Sequence, residues 1–185
     1  MLLVALPAIT WVAERAEAGT VVERTVAFVN RKPVLLSDVA LTRALLKLDE
    51  KEATERTIDE VLMFEEAIRL SSDTPSEETV ARAVSSLAEK AGPGFTGPAL
   101  RRKALVQLAI SSYIELRLRP QVRVEDEEVQ KAYNERVVRD PQPPYELISD
   151  SIREALENQA LDQKIEDWVT SLRAREEVRR VEPRP

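Results

Sequence analysis

The chain predicts a mainly helical protein with a small β-hairpin near its start, and three observations carry that prediction. Val26–Val39, VAFVNRKPVLLSDV, reads as two short apolar strands joined at Asn30-Arg31-Lys32-Pro33, with a helix start directly behind them. Nearly everything after it repeats apolar residues at helical spacing. Only 4 of 185 residues are Gly and only 4% are aromatic, which disfavours β-sandwiches and Gly-rich phosphate loops.

The elements follow in order. Val21–Val29 carries β-branched and aromatic residues, and Val34–Leu36 is its short partner. Asn30 tolerates the left-handed backbone that a tight turn needs, and Pro33 fits a strand start or an edge. Ser37 is expected to cap a helix running to about Leu48, with Asp38 in its first turn. A second helix is expected from about Thr54 to Ser71, with a stripe of Ile58, Val61, Leu62, Phe64 and Ile68; Met63 and Leu70 fall outside that stripe. Thr74-Pro75-Ser76-Glu77 reads as a capping box opening a surface helix with one face of Val80, Val84, Leu87, Ala88 and Ala91. Gly92-Pro93-Gly94 ends it. From about Pro98 to Arg119 the apolar residues point around most of the circumference, which marks a central helix buried on several sides, stopped by Pro120.

Val122–Val124 is expected to be extended, and Glu125–Glu128 places acids at the start of a helix reaching roughly Arg136. Asp140-Pro141-Gln142-Pro143-Pro144 is a stiff connector. Tyr145 to about Arg173 is a candidate helix roughly 40 Å long. Ile148, Ile152, Ala155 and Leu156 share one of its faces, whereas Leu161, Ile165, Trp168 and Leu172 lie nearly opposite. That helix must bend near Asn158-Gln159 or pack its halves against different objects. Glu177–Val181 reads as a last strand.

Composition excludes several chemistries. The chain has no His and no Cys, so catalytic triads, thiolate nucleophiles, zinc motifs and thiol redox sites are all ruled out. The formal charge of -6 comes with no basic stripe, so nucleic acid is not an expected partner. No cofactor, metal site or catalytic residue is expected. Adjacent carboxylates such as Glu65 and Glu66 point apart on a helix and form no acid/base pair. Glu125–Glu128 lacks the alternating ligands and central Gly of a calcium loop and reads as helix-start acid. Arg101-Arg102-Lys103 sits where the helix dipole disfavours cations, which leaves a solvated basic cluster or a contact with an external anion. Leu2–Ala13 is too short to span a bilayer, and Ala16-Glu17-Ala18 has the form of a signal-peptidase site. Residues 1–18 are read as an export signal; because the first positive charge is Arg15, a retained apolar helix is the alternative.

The hairpin VAFVNRKPVLLSDV, the stretch VRVEDEEVQKAYNE and the ending IREALENQALDQKIEDWVTSLRAREEVRRVEP, in this order, resemble the SurA-type periplasmic chaperones, a group that includes secreted peptidyl-prolyl isomerases. The resemblance covers nearly all of residues 20–182 and rests on the order of the parts. It implies an N-terminal chaperone part over 19–138 and a connector at 139–144 where the family carries a parvulin domain. It also implies that the C-terminal helix and strand, 145–182, return to the N-terminal part. Parvulin sites use His, and here there is none.

The function expected on that resemblance is ATP-independent holding of unfolded or extended polypeptides, with outer-membrane proteins as clients. The location would be the periplasm, the membrane would be met only through clients, and isomerase activity would be absent. The alternatives are a structural protein that keeps the fold for homodimer formation, and an enzyme using carboxylates or Lys alone. Met63, Leu70, Tyr113 and Leu116 are the candidate client-binding residues. Val26, Phe28, Leu105, Leu108, Trp168 and Leu172 are the expected structural core.

Overall fold

The computed structural model describes residues 23–70, 74–139 and 143–181. The residues read as an export signal and most of the Asp140–Pro144 connector lie outside them. The protein is mainly helical with a three-stranded antiparallel sheet. Strand β1 (Thr25–Val29) turns at Asn30, whose φ of 55° is the left-handed value that Asn accommodates, into β2 (Lys32–Leu35). Strand β3 (Val178–Arg180) pairs with the other side of β1, giving the order β2-β1-β3 and placing Pro33 on an edge strand. The Asn30 N–H donates to the Glu177 carbonyl at 2.7 Å, and the Val181 N–H donates to the Val26 carbonyl at 2.9 Å. A hairpin that is marginal alone thus gains a third strand and a helical cover.

Of the two strand residues expected in the core, Val26 packs against it half-buried and Phe28 does not. Ala27 and Val29 are fully buried, while Val26 only packs against the edge of the core. Phe28 lies on the outer face, under the Arg179 guanidinium at 4.5 Å. Alternation fixes the two sets but not which set faces inward.

The helix starts hold three further corrections. Helix α1 (Leu36–Leu46) opens two residues earlier than read, with Leu35 at the cap position, and Ser37 does not cap it. Instead, the Ser37 amide and hydroxyl both donate to the Glu23 carboxylate, at 3.2 and 2.8 Å. Helix α2 (Glu50–Leu70) starts four residues early, at an Asp49/Glu52 capping box. There the Glu52 N–H donates to Asp49 Oδ1 at 2.8 Å, and the Asp49 N–H donates to Glu52 Oε2 at 3.3 Å. Helix α3 (Glu77–Ala91) is capped by Ser76, which accepts from the Thr79 N–H at 3.2 Å, so Pro75 stays outside the helix.

Helix α4 (Gly97–Tyr113) is capped by Thr96 and packs against α1, α2 and α3. It continues as a π-helical turn, Ile114–Leu118, and a 3₁₀ turn, Arg119–Gln121, which ends just past Pro120. Its basic run divides: Arg101 and Arg102 are solvated, each with a surface carboxylate partner, whereas Lys103 is buried. Arg101 pairs with Glu77 on α3 at 2.7 Å, and Arg102 pairs with Asp38 on α1 at 3.1 Å. Lys103 is buried and pairs with the buried Glu60 on α2. The Lys103 ammonium also donates to the Thr42 hydroxyl at 2.7 Å, and Thr42 in turn donates to the Asp38 carbonyl at 3.0 Å. Three consecutive side chains therefore tie α4 to three different helices.

Helix α5 (Asp126–Arg139) and the first half of α6 (Tyr145–Arg175) pack on each other as a helical arm. Val129 and Ile152 are their fully buried residues, and Tyr133 meets Tyr145 edge-on at 5.3 Å. The Glu125–Glu128 run serves the start of α5, where the Glu125 N–H donates to the Glu128 carboxylate at 3.0 Å. The second half of α6 crosses to the body, where Leu172 is buried in the main core and Trp168 stacks on Tyr113 at 4.5 Å. The switch of stripe along α6 is accounted for by these two different neighbours.

Candidate functional site

The end of α2, the start of α3 and the second half of α4 do not close on one another. Between them lies a cleft of about 360 Å³. Ala67 and Ile68 of α2, Pro75, and Leu108 and Ala109 of α4 form its apolar floor and walls. Thr74, Thr79, Ser111 and Ser112 bring hydroxyls to it. The cleft exists because Pro75 and the cap at Ser76 start α3 late, leaving the last turns of α2 uncovered on that side. Ile68, expected in the buried stripe of α2, is 45% exposed there.

Glu115 closes one end of the cleft and is itself held by Arg119 at 2.6 Å. The hydrogen bond from Arg119 keeps its carboxyl below the ordinary range. The cleft therefore offers apolar surface and neutral hydroxyls, with its one lining acid already paired. Leu116, the next residue, is 61% exposed on the π-helical turn, and Leu70 is 44% exposed two residues after Ile68.

The candidate client-binding residues thus separate. Leu70 and Leu116 are exposed, whereas Met63 is 2% exposed and belongs to the main core, so it cannot meet a client. Its position outside the expected stripe is explained by α2 being covered on two sides, by α4 and by the sheet and α6. Tyr113 is half-buried under Trp168 and spends its ring face there. Among the expected core residues, Leu172 and Trp168 sit in or against the main core, while Leu105 is half-buried outside both core clusters. Leu108 is half-buried and lines the cleft. The hydroxyls of the cleft carried no signal in the sequence, because Ser and Thr near helix ends are most often caps.

A second hollow, of about 510 Å³, lies beside the hairpin turn and is ionic. Asn30 donates to Glu65 and Glu176 at 3.1 and 2.9 Å, Lys32 pairs with Glu65 at 3.0 Å, and Arg69 pairs with Glu66 at 2.5 Å. Its polar groups satisfy one another and fasten α6 to the hairpin. Among the described residues, no group of three or more acidic side chains is arranged to hold a metal ion, and no helix is long and apolar enough to cross a membrane. No protein-family model matches the chain, and no curated protein matches it.

Proposed function

We propose that this protein is an ATP-independent holdase that binds extended, apolar segments of unfolded polypeptides, without prolyl isomerase activity. The observation that carries this reading is the cleft between α2, α3 and α4, with the exposed Ile68 in its lining. An extended chain points alternate side chains in opposite directions. A cleft of this size takes one or two of them while the hydroxyls of Thr79, Ser111 and Ser112 meet the adjacent peptide groups. Ordering a flexible client costs much of the interaction free energy, so binding is weak and broad in specificity. The resemblance to SurA-type chaperones suggests the periplasm as the location and outer-membrane proteins in transit as clients.

The test is suppression of light scattering from an unfolded outer-membrane protein diluted out of denaturant. Equimolar protein is expected to suppress it, and Ile68→Glu, an exposed change inside the cleft, is expected to remove most of the effect while the helical content stays intact. Unchanged scattering with the unaltered protein, or full activity of Ile68→Glu, would overturn the reading.

A further inference from the structure

We propose that the outer edge of β3 pairs with the β3 edge of a second copy of this chain, joining two three-stranded sheets into one of six strands. The bonds from Asn30 to Glu177 and from Val181 to Val26 show that residues 177, 179 and 181 turn their backbone groups toward β1. By alternation, Val178 and Arg180 turn their N–H and C=O groups outward, away from the sheet. Glu176, two residues before the strand, is also extended, at φ -107° and ψ 147°.

The edge reads Glu176-Glu177-Val178-Arg179-Arg180, in which the charge signs are reversed about Val178. An antiparallel pairing of two copies centred on Val178 sets Val178 opposite Val178, where two outward-facing residues exchange two hydrogen bonds. Each Arg180 N–H reaches the Glu176 carbonyl of the second copy. Glu177 then lies opposite Arg179 of the second copy, twice by symmetry, in the non-hydrogen-bonded pairs where side chains approach most closely. Both residues are exposed, on the face away from the helices. Moving the centre by one residue would set Arg179 against Arg179, so the charge pattern selects a single register. Glu176 and Arg180 are also opposite in that register, but each is already hydrogen-bonded within its own chain, to Asn30 and Glu55, whereas Arg179 lies over the Phe28 ring and has no carboxylate partner among the described residues. The Glu177–Arg179 pairs therefore select the partner.

One short strand pair buries well under the roughly 1,200 Å² of a standard stable interface. The dimer is therefore reversible, concentration-dependent and weakened by salt. Sedimentation equilibrium of the full chain across a wide concentration range should show a monomer–dimer equilibrium, with the Val178 and Arg180 amides gaining exchange protection as concentration rises. Arg179→Glu should weaken dimerisation roughly tenfold, since two attractive pairs become repulsive. Glu177→Arg combined with Arg179→Glu restores opposite signs and should return the dimer to within about threefold of the original. A monomer at every concentration would overturn the proposal. So would a dimer indifferent to Arg179→Glu, or a double variant no better than the single one.

Discussion

Two runs of charged residues, Arg101–Lys103 in the second turn of α4 and Glu125–Glu128 at the start of α5, are used in different ways. The acids on α5 agree with the dipole at a helix start and are largely spent there, with Glu128 returning to the Glu125 amide. Only Asp126 reaches another helix, through Arg153. The cations on α4 lie past the first turn, where the dipole no longer acts on them, and each pairs with a carboxylate on a different neighbouring helix. A charge run beyond the helix end finds its partners on other helices, whereas one at the helix start is satisfied where it stands. The body around α4 is accordingly bound in all directions, while the arm of α5 and early α6 holds chiefly to itself.

The largest effect that would sharpen this contrast is at Lys103. Lys103→Met leaves the Glu60 carboxylate buried without its partner, and the expected cost is about 3–5 kcal/mol in urea unfolding. Adding Glu60→Leu should recover most of that loss, because a buried ion pair and a well-packed apolar pair are often close in stability. Asp126→Asn in the arm should be indistinguishable from the unaltered protein, since that side chain is 85% exposed. Equal effects at the two sites would erase the distinction between the runs.

A smaller effect separates the arm from the body. Ile152→Ala removes a fully buried side chain on the arm half of α6, at a local cost of about 2–5 kcal/mol. Hydrogen exchange should quicken across α5 and early α6 and leave α4 nearly unchanged, because few contacts carry the loss into the body. Exchange that quickened uniformly would show that arm and body open as one unit.

Much of the fold was legible because local chemistry and tertiary structure agree. Asn30 needed a left-handed turn, Gly92 at φ 77° ends α3, and the apolar stripe of α3 faces the core with Val80 and Leu87. Legibility failed where tertiary context chose between locally equal options. Period-2 alternation left Phe28 as plausible an inner residue as Ala27 and Val29, and only the latter two are fully buried. Asp49 and Glu52 form the same reciprocal cap as the motif sought at Thr74, but an Asp at the cap amid a run of acids hid it. The cleft was the least legible part, because it arises from where α3 begins rather than from any residue pattern.

The smallest expected effect concerns how firmly the end of the chain is fastened to the body, and it has a definite direction with pH. Glu55 on α2 accepts from Arg173 at the end of α6, at 2.9 Å, and from Arg180 on β3, at 2.7 Å. Burial would raise the Glu55 pKa, but the hydrogen bonds from Arg180 and Arg173 outweigh it and hold the carboxyl below its ordinary value of 4.5. A carboxylate with a depressed folded pKa stabilises the native state above its unfolded pKa, and that contribution is lost as pH falls through the folded value. As pH falls below about 4.5 the attachment of β3 should therefore weaken, read as faster exchange of the Val181 amide that bonds to Val26. Glu55→Gln should flatten that acid limb and leave most of the stability at neutral pH, because the side chain is 32% exposed and Asp59 still holds Arg173 at 2.5 Å. If Glu55→Gln instead unfolded the protein at neutral pH, Glu55 would rank with Lys103 as a support of the body rather than as a clasp on its last strand.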